Sequence, residues 1–114
     1  HGRVVRADIG ISHVMETSAG LVIARVVPGG PADAAGLRGF RKVVERRQQG
    51  PFVYETESID RSHADRILAV DGEAVTTGAG FRDKVWEYQP GQVVTLTILR
   101  EGRQSGVQVA LGSN

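Results

Sequence analysis

The stretch Leu21 to Leu37, Leu-Val-Ile-Ala-Arg-Val-Val-Pro-Gly-Gly-Pro-Ala-Asp-Ala-Ala-Gly-Leu, constrains the fold of this chain more than any other. Leu21 to Val27 is apolar at every position except Arg25 and rich in β-branched residues, which suits an interior strand covered on both faces. Pro28-Gly29-Gly30 ends that strand. Pro31 falls where the first helical residue would sit, its missing N–H costing nothing there, and Gly36 falls where a left-handed residue closes a turn. The spacing therefore predicts strand, turn and a one-turn helix over Pro31 to Ala35.

A chain of 114 residues holds one domain and can bury roughly 60 to 70% of its unfolded surface. Fifteen glycines call for many tight turns and hence short, mainly β elements. Without cysteine there is neither a disulfide nor a thiolate metal site. Fourteen basic against thirteen acidic side chains give a formal charge of +1, which removes the electrostatic case for a nucleic-acid partner. No apolar run approaches the ~18 residues that span a bilayer, and no signal segment opens the sequence.

Taken in order, His1 to Asp8 reads as a frayed lead-in. Ile9 to Met15 reads as a strand with Ile9, Ile11, His13 and Met15 on one face. Arg38 to Ala64 divides by charge. Arg38, Arg41, Lys42, Arg46 and Arg47 stand against Glu45 in the first half, and Glu55, Glu57 and Asp60 make the second acidic. With Gln48-Gln49-Gly50-Pro51 as turn material between Val43-Val44 and Phe52-Val53-Tyr54, the segment reads as a protruding hairpin whose oppositely charged strands pair. Arg66 to Val70 is a strand, Asp71-Gly72 a hairpin turn and Glu73 to Thr76 its return. Thr76 or Thr77 caps a helix running to about Tyr88, with Phe81, Val85 and Tyr88 as its apolar stripe, stopped by Pro90-Gly91. Val94 to Leu99 and Val107 to Leu111 form a last pair around Glu101-Gly102, and Gly112 to Asn114 reads as a tail. The fold class is α+β, mainly β: five to six short strands in a partly open barrel or sandwich, capped by one helix and one helical turn, with an inserted hairpin.

This order of motifs resembles the PDZ domain of the trypsin-like, HtrA/DegP-type serine proteases. The resemblance rests on Ile9-Gly10-Ile11, Gly20-Leu21-Val22-Ile23, Pro28-Gly29-Gly30-Pro31-Ala32, Ala35-Gly36-Leu37, Asp65-Arg66-Ile67-Leu68-Ala69-Val70-Asp71-Gly72, Pro90-Gly91 and Leu99-Arg100-Glu101-Gly102. It implies one PDZ domain over residues 1–114, with its core at about 8–111 and an insertion at about 38–64. His63-Ala64-Asp65 stands where such domains carry glycine-aspartate.

What the resemblance implies for function is capture of a peptide C-terminus beside a sheet edge. Asp8, Ile9, Gly10 and Ile11 match the loop whose backbone N–H groups hold the terminal carboxylate. Ser12, His13 and Val14 match the strand that pairs with the peptide, and Phe81, Val85 and Tyr88 the helix wall of an apolar pocket. The implied partners are polypeptides with an apolar last residue, the protease domain of the same chain and, in the full-length protein, further copies of it. The implied location is the periplasm or cell envelope. The same residues call for no cofactor. His13, His63 and Asp65 are too few for a metal set, Gly78-Ala79-Gly80 lacks the third glycine and lysine of a phosphate loop, and Gly-x-Ser-x-Gly is absent. The chain reads as non-catalytic, with catalysis in a preceding domain of a serine endopeptidase. A scaffold or adaptor in a secretion or envelope assembly is the alternative, and a third reading makes the hairpin an oligomer contact or lid.

Overall fold

The strand expected over Leu21 to Val27 is covered on both faces only in its first half: Leu21, Val22 and Ile23 are buried, whereas Arg25 and Val27 are exposed. In the computed structural model, which describes residues 5–113, it is β3 (Gly20–Val26), with Leu21 and Ile23 fully buried. Its neighbours are β2 (Ile11–Thr17) and β6 (Arg66–Val70), and the sheet continues through β8 (Val93–Arg100) to β9 (Arg103–Ala110), with β7 (Glu73–Ala74) paired to β6. The sheet stays open, β2 being one of its edges. Ile67, Val70, Val94, Leu96, Ile98 and Val109 fill its inner side. On that core lie the one-turn helix α1 (Pro31–Ala34) and the longer α2 (Gly78–Trp86). The mainly β architecture with one helix, one helical turn and an inserted hairpin agrees with the sequence.

Local rules account for most boundaries. Pro31 opens α1, and Gly36 follows it with φ +82. Asp71-Gly72 and Glu101-Gly102 have positive φ at both central residues, the requirement of a tight hairpin turn that matches strand twist. Thr77 caps α2, its hydroxyl accepting from the Gly80 N–H at 2.9 Å.

Three further expectations are corrected. Ala7 and Asp8 are not a frayed lead-in: β1 (Ala7–Asp8) pairs with β10 (Gly112–Ser113), so residues 112 and 113 are not a tail either. Residues 1–4 and 114 lie outside the described residues. Next, β2 starts at Ile11, because Gly10 turns the chain at φ +79. Register shifts on both sides of His13 then break the alternation, so Ile11 and Val14 pack towards the core while His13 and Met15 are exposed. Finally, α2 ends at Trp86, two residues before Tyr88.

Between α1 and β6 the chain leaves the body as β4 (Arg41–Gln49) and β5 (Phe52–Asp60), paired from Arg41 opposite Asp60 to Gln49 opposite Phe52. Its opposite charges do meet. Arg41 pairs with Asp60 at 3.0 Å, Lys42 with Glu57 at 3.0 Å and Arg46 with Glu55 at 2.8 Å. Because the hairpin stands clear of the core, the radius of gyration is 16.9 Å, against about 13 Å for a compact chain of this length. Its feet are closed by Asp65 N–H on the Arg38 carbonyl and Arg38 N–H on the Asp65 carboxylate, both at 2.9 Å. Asp65 is fully buried. Its carboxylate also takes Arg100 Nε at 2.8 Å and Nη2 at 2.6 Å.

Candidate functional site

Gly10 joins the start of β2 to the strand-turn-helix unit. Its carbonyl accepts from the Val27 N–H at 2.8 Å, and the Ile9 carbonyl accepts from the Ala32 N–H at 2.8 Å. A Cβ on Gly10 would lie 2.9 Å from Pro31 Cδ, so glycine is demanded by close approach as well as by φ. The bend from Asp8 to Ile11 is thereby fixed against α1. Its outer side carries a charge: Asp8 Oδ1 accepts from the Gly10 N–H at 3.1 Å.

From this bend a groove of about 270 Å³ runs between β2 and α2. Asp8, Ile9, Ile11, Ser12, His13 and Val14 form one side, and Gly78, Phe81, Arg82, Val85 and Trp86 form the other. Phe81 and Val85 are buried and serve core and groove together. The far end is tied by the Glu16 carboxylate, which accepts from the Gly78 N–H at 2.9 Å, a favourable place for an anion at a helix N-terminus. Sheet edge, helix wall and glycine bend thus frame an open channel. An extended chain laid in it could hydrogen-bond to the edge of β2 and bury alternate side chains against α2.

The structure brings nine of the ten residues singled out from the sequence to this groove, Gly10 as the bend beside its lining residues. Tyr88 is not there. Lying past the end of α2, it donates its hydroxyl to Asp71 Oδ2 at 2.6 Å, while Asp71 Oδ1 accepts from the Thr95 N–H at 2.7 Å. These bonds hold the Asp71 carboxyl below the usual carboxylate range, the Thr95 amide first and the Tyr88 hydroxyl second. The Asp71 carboxylate in turn raises the Tyr88 phenol. Lys84, between Glu73 and Glu87, is pushed up by its hydrogen bonds to them, that to Glu73 foremost. Both networks brace the C-terminal end of α2 rather than its groove face.

Arg82 and Trp86 line the groove without having been singled out. The Trp86 ring has the Arg6 guanidinium 4.1 Å and the Arg82 guanidinium 4.9 Å from its centroid. An Arg and a Trp four residues apart on a helix was the available signal. Among the described residues no three His, Asp or Glu side chains gather as a metal set. A second concavity, about 440 Å³, lies where the hairpin leaves β3, walled by Ala24, Phe40, Lys42 and Ile59 among others. It shares no lining residue with the first.

The profile of the PDZ domain family matches residues 7–111. A probable periplasmic serine endoprotease, DegP-like, of Pseudomonas fulva is 29% identical over 109 residues, covering 96% of this chain and 18% of the relative. The serine endoprotease from Yersinia pestis is 29% identical, with a TM-score of 0.67 over 99% of this chain and 31% of that one. HtrA-type protease AlgW with decapeptide has a TM-score of 0.72 at 22% identity, over 100% of this chain and 31% of that one. The chain thus spans less than a third of each relative's length.

Proposed function

The chain belongs to the PDZ domain family, and on that premise we propose that it is a single peptide-binding module of an HtrA/DegP-like serine protease that captures apolar C-termini by β-strand addition. On this reading the module spans residues 1–114, with its core at about 8–111 and the insertion at about 38–64. The carrying observation is the groove between the edge strand β2 and α2, closed at one end by the Asp8–Ile11 bend. A peptide strand extends the sheet past β2, its last side chain enters the apolar space beside Ile9, Ile11 and Val85, and its carboxylate meets the amides around Gly10. One buried apolar side chain contributes about 1.5–3 kcal/mol, less the cost of ordering the peptide, so the affinity is micromolar.

The module itself is non-catalytic. Peptide-bond cleavage belongs to another part of a longer chain in the periplasm or cell envelope, as the DegP-like relative's name and length suggest. Titration of ¹⁵N-labelled protein with peptides ending in Val, Leu, Ile or Phe tests the reading. Free-carboxylate peptides are expected to shift the amides of Ile9, Gly10 and Ile11, and their C-terminally amidated forms to bind more weakly. Equal binding of the two forms by the wild-type domain overturns C-terminal capture.

A further inference from the structure

The Gly10 amide, one of those assigned to the ligand carboxylate, already has an acceptor: Asp8 Oδ1, 3.1 Å away. Asp8 lines the groove and is the one carboxylate among the described residues that do so; the other ionisable side chains there are His13 and Arg82. Resting on the reading above, we propose that Asp8 is a specificity-determining residue, a built-in occupant of the loop that limits how strongly the groove prefers a free C-terminus over an uncharged chain end.

The argument is one of space and charge. A ligand oxygen accepting from the Gly10 N–H would sit about 2.9 Å from the nitrogen, in the region that Asp8 Oδ1 occupies. The ligand must displace the Asp8 carboxylate or share the donor with it. Displacement loses an existing hydrogen bond, and sharing sets two negative charges within a few ångströms. At about 4 Å, even in bulk water, such repulsion weakens binding about fivefold. An amidated end or an internal segment passing through the groove carries no second charge and escapes that repulsion. Arg82, whose guanidinium is held over Trp86 on the opposite wall, attracts either carboxylate and does not remove the competition.

Asp8→Asn tests this, since an Asn side-chain oxygen can still accept from the Gly10 N–H and order the bend while carrying no charge. Affinities of one apolar-ended peptide, as free acid and as amide, are measured for wild type and variant, with the ¹⁵N spectrum reporting the fold. The expected result is a free-acid to amide preference at least fivefold larger in Asp8→Asn, arising from tighter free-acid binding with the amide changed less than twofold. Asp8→Ser, a second neutral variant, is expected to move the preference in the same direction and covers failure of the first to fold. A purely structural Asp8 would move both peptides together. An unchanged or smaller preference in the folded variants overturns the inference while leaving C-terminal capture standing, provided wild type prefers the free acid. If wild type is indifferent but Asp8→Asn is selective, the inference stands and wild-type capture falls. No binding of either peptide by any of the three proteins overturns both.

Discussion

Asp65→Ala is expected to be the most damaging single truncation near the insertion. The wild-type carboxylate has no solvent exposure, yet it accepts from the Arg38 backbone N–H at 2.9 Å and from two guanidinium nitrogens of Arg100 at 2.8 and 2.6 Å. Truncation leaves the Arg100 charge without its counter-ion. Its side chain is 30% exposed and Nη2 keeps the Gly36 carbonyl at 2.9 Å, so the loss belongs at the low end of the 3–5 kcal/mol range for breaking a buried pair. About 3 kcal/mol corresponds to a fall in Tm of about 12 °C for a domain of this size. Urea unfolding followed by fluorescence of the single tryptophan, Trp86, measures it. The m-value should be unchanged, because the same surface unfolds. Adding Arg100→Ala should cost less than that substitution does alone, since the charge it removes is already stranded. A loss below about 1 kcal/mol for Asp65→Ala, or simple additivity with Arg100→Ala, would refute the reasoning.

Gly10→Ala combines a φ of +79 with a contact at 2.9 Å to Pro31 Cδ, and should destabilise by about 2 kcal/mol in urea unfolding. Ile11→Ala, which trims the groove wall, should weaken an apolar-ended peptide about tenfold by calorimetry. Asp71 has a lowered folded-state pKa, so its contribution is present above the unfolded value near pH 4 and is lost as pH falls through the folded value. Asp71→Asn, which tolerates the φ of 47, should therefore lie below wild type at neutral pH by less than about 1 kcal/mol, and the gap should close in acid. Replacing residues 41–63 by a short glycine turn should leave the body folded and bring the scattering radius from 16.9 Å towards about 12 Å, the compact value for the shorter chain.

Legibility followed locality. Pro31 and Gly36 around α1 and the Asp71-Gly72 turn each act within four residues, and sequence alone placed them; it narrowed the cap of α2 to Thr76 or Thr77, of which Thr77 serves. The charge split of the insertion also foretold the Arg41–Asp60 and Arg46–Glu55 pairs. The pairing of Ala7–Asp8 with Gly112–Ser113 was illegible, because each segment is only two residues long, too short for any alternation to show, and the two lie at opposite ends of the chain. The irregularity at His13 belongs to the β2–β3 register, which no property of β2 alone sets, so the alternation rule put His13 on the wrong face. Tyr88 misled for a different reason. A three-residue spacing from Val85 puts an aromatic ring on a helical stripe only while the helix lasts, and here it stops at Trp86 and frees the hydroxyl to reach Asp71.

Groove and hairpin are both anchored to the strand-turn-helix unit. At one end, Val27 N–H and Ala32 N–H hold the carbonyls of Gly10 and Ile9. At the other, Phe40 N–H bonds the Ala24 carbonyl, and Arg100 bridges the Gly36 carbonyl to Asp65 at the hairpin's feet. Backbone routes from hairpin to groove through this unit are therefore short, but every link in them survives excision of residues 41–63. The hairpin adds no wall to the groove. Its nine-residue strands can thus bend or be replaced without changing the bend at Gly10, and peptide affinity should be the same with and without them. A change in affinity on excision would mean that the hairpin acts on the groove through α1, whose single turn would then have to shift against Ile9 and Gly10.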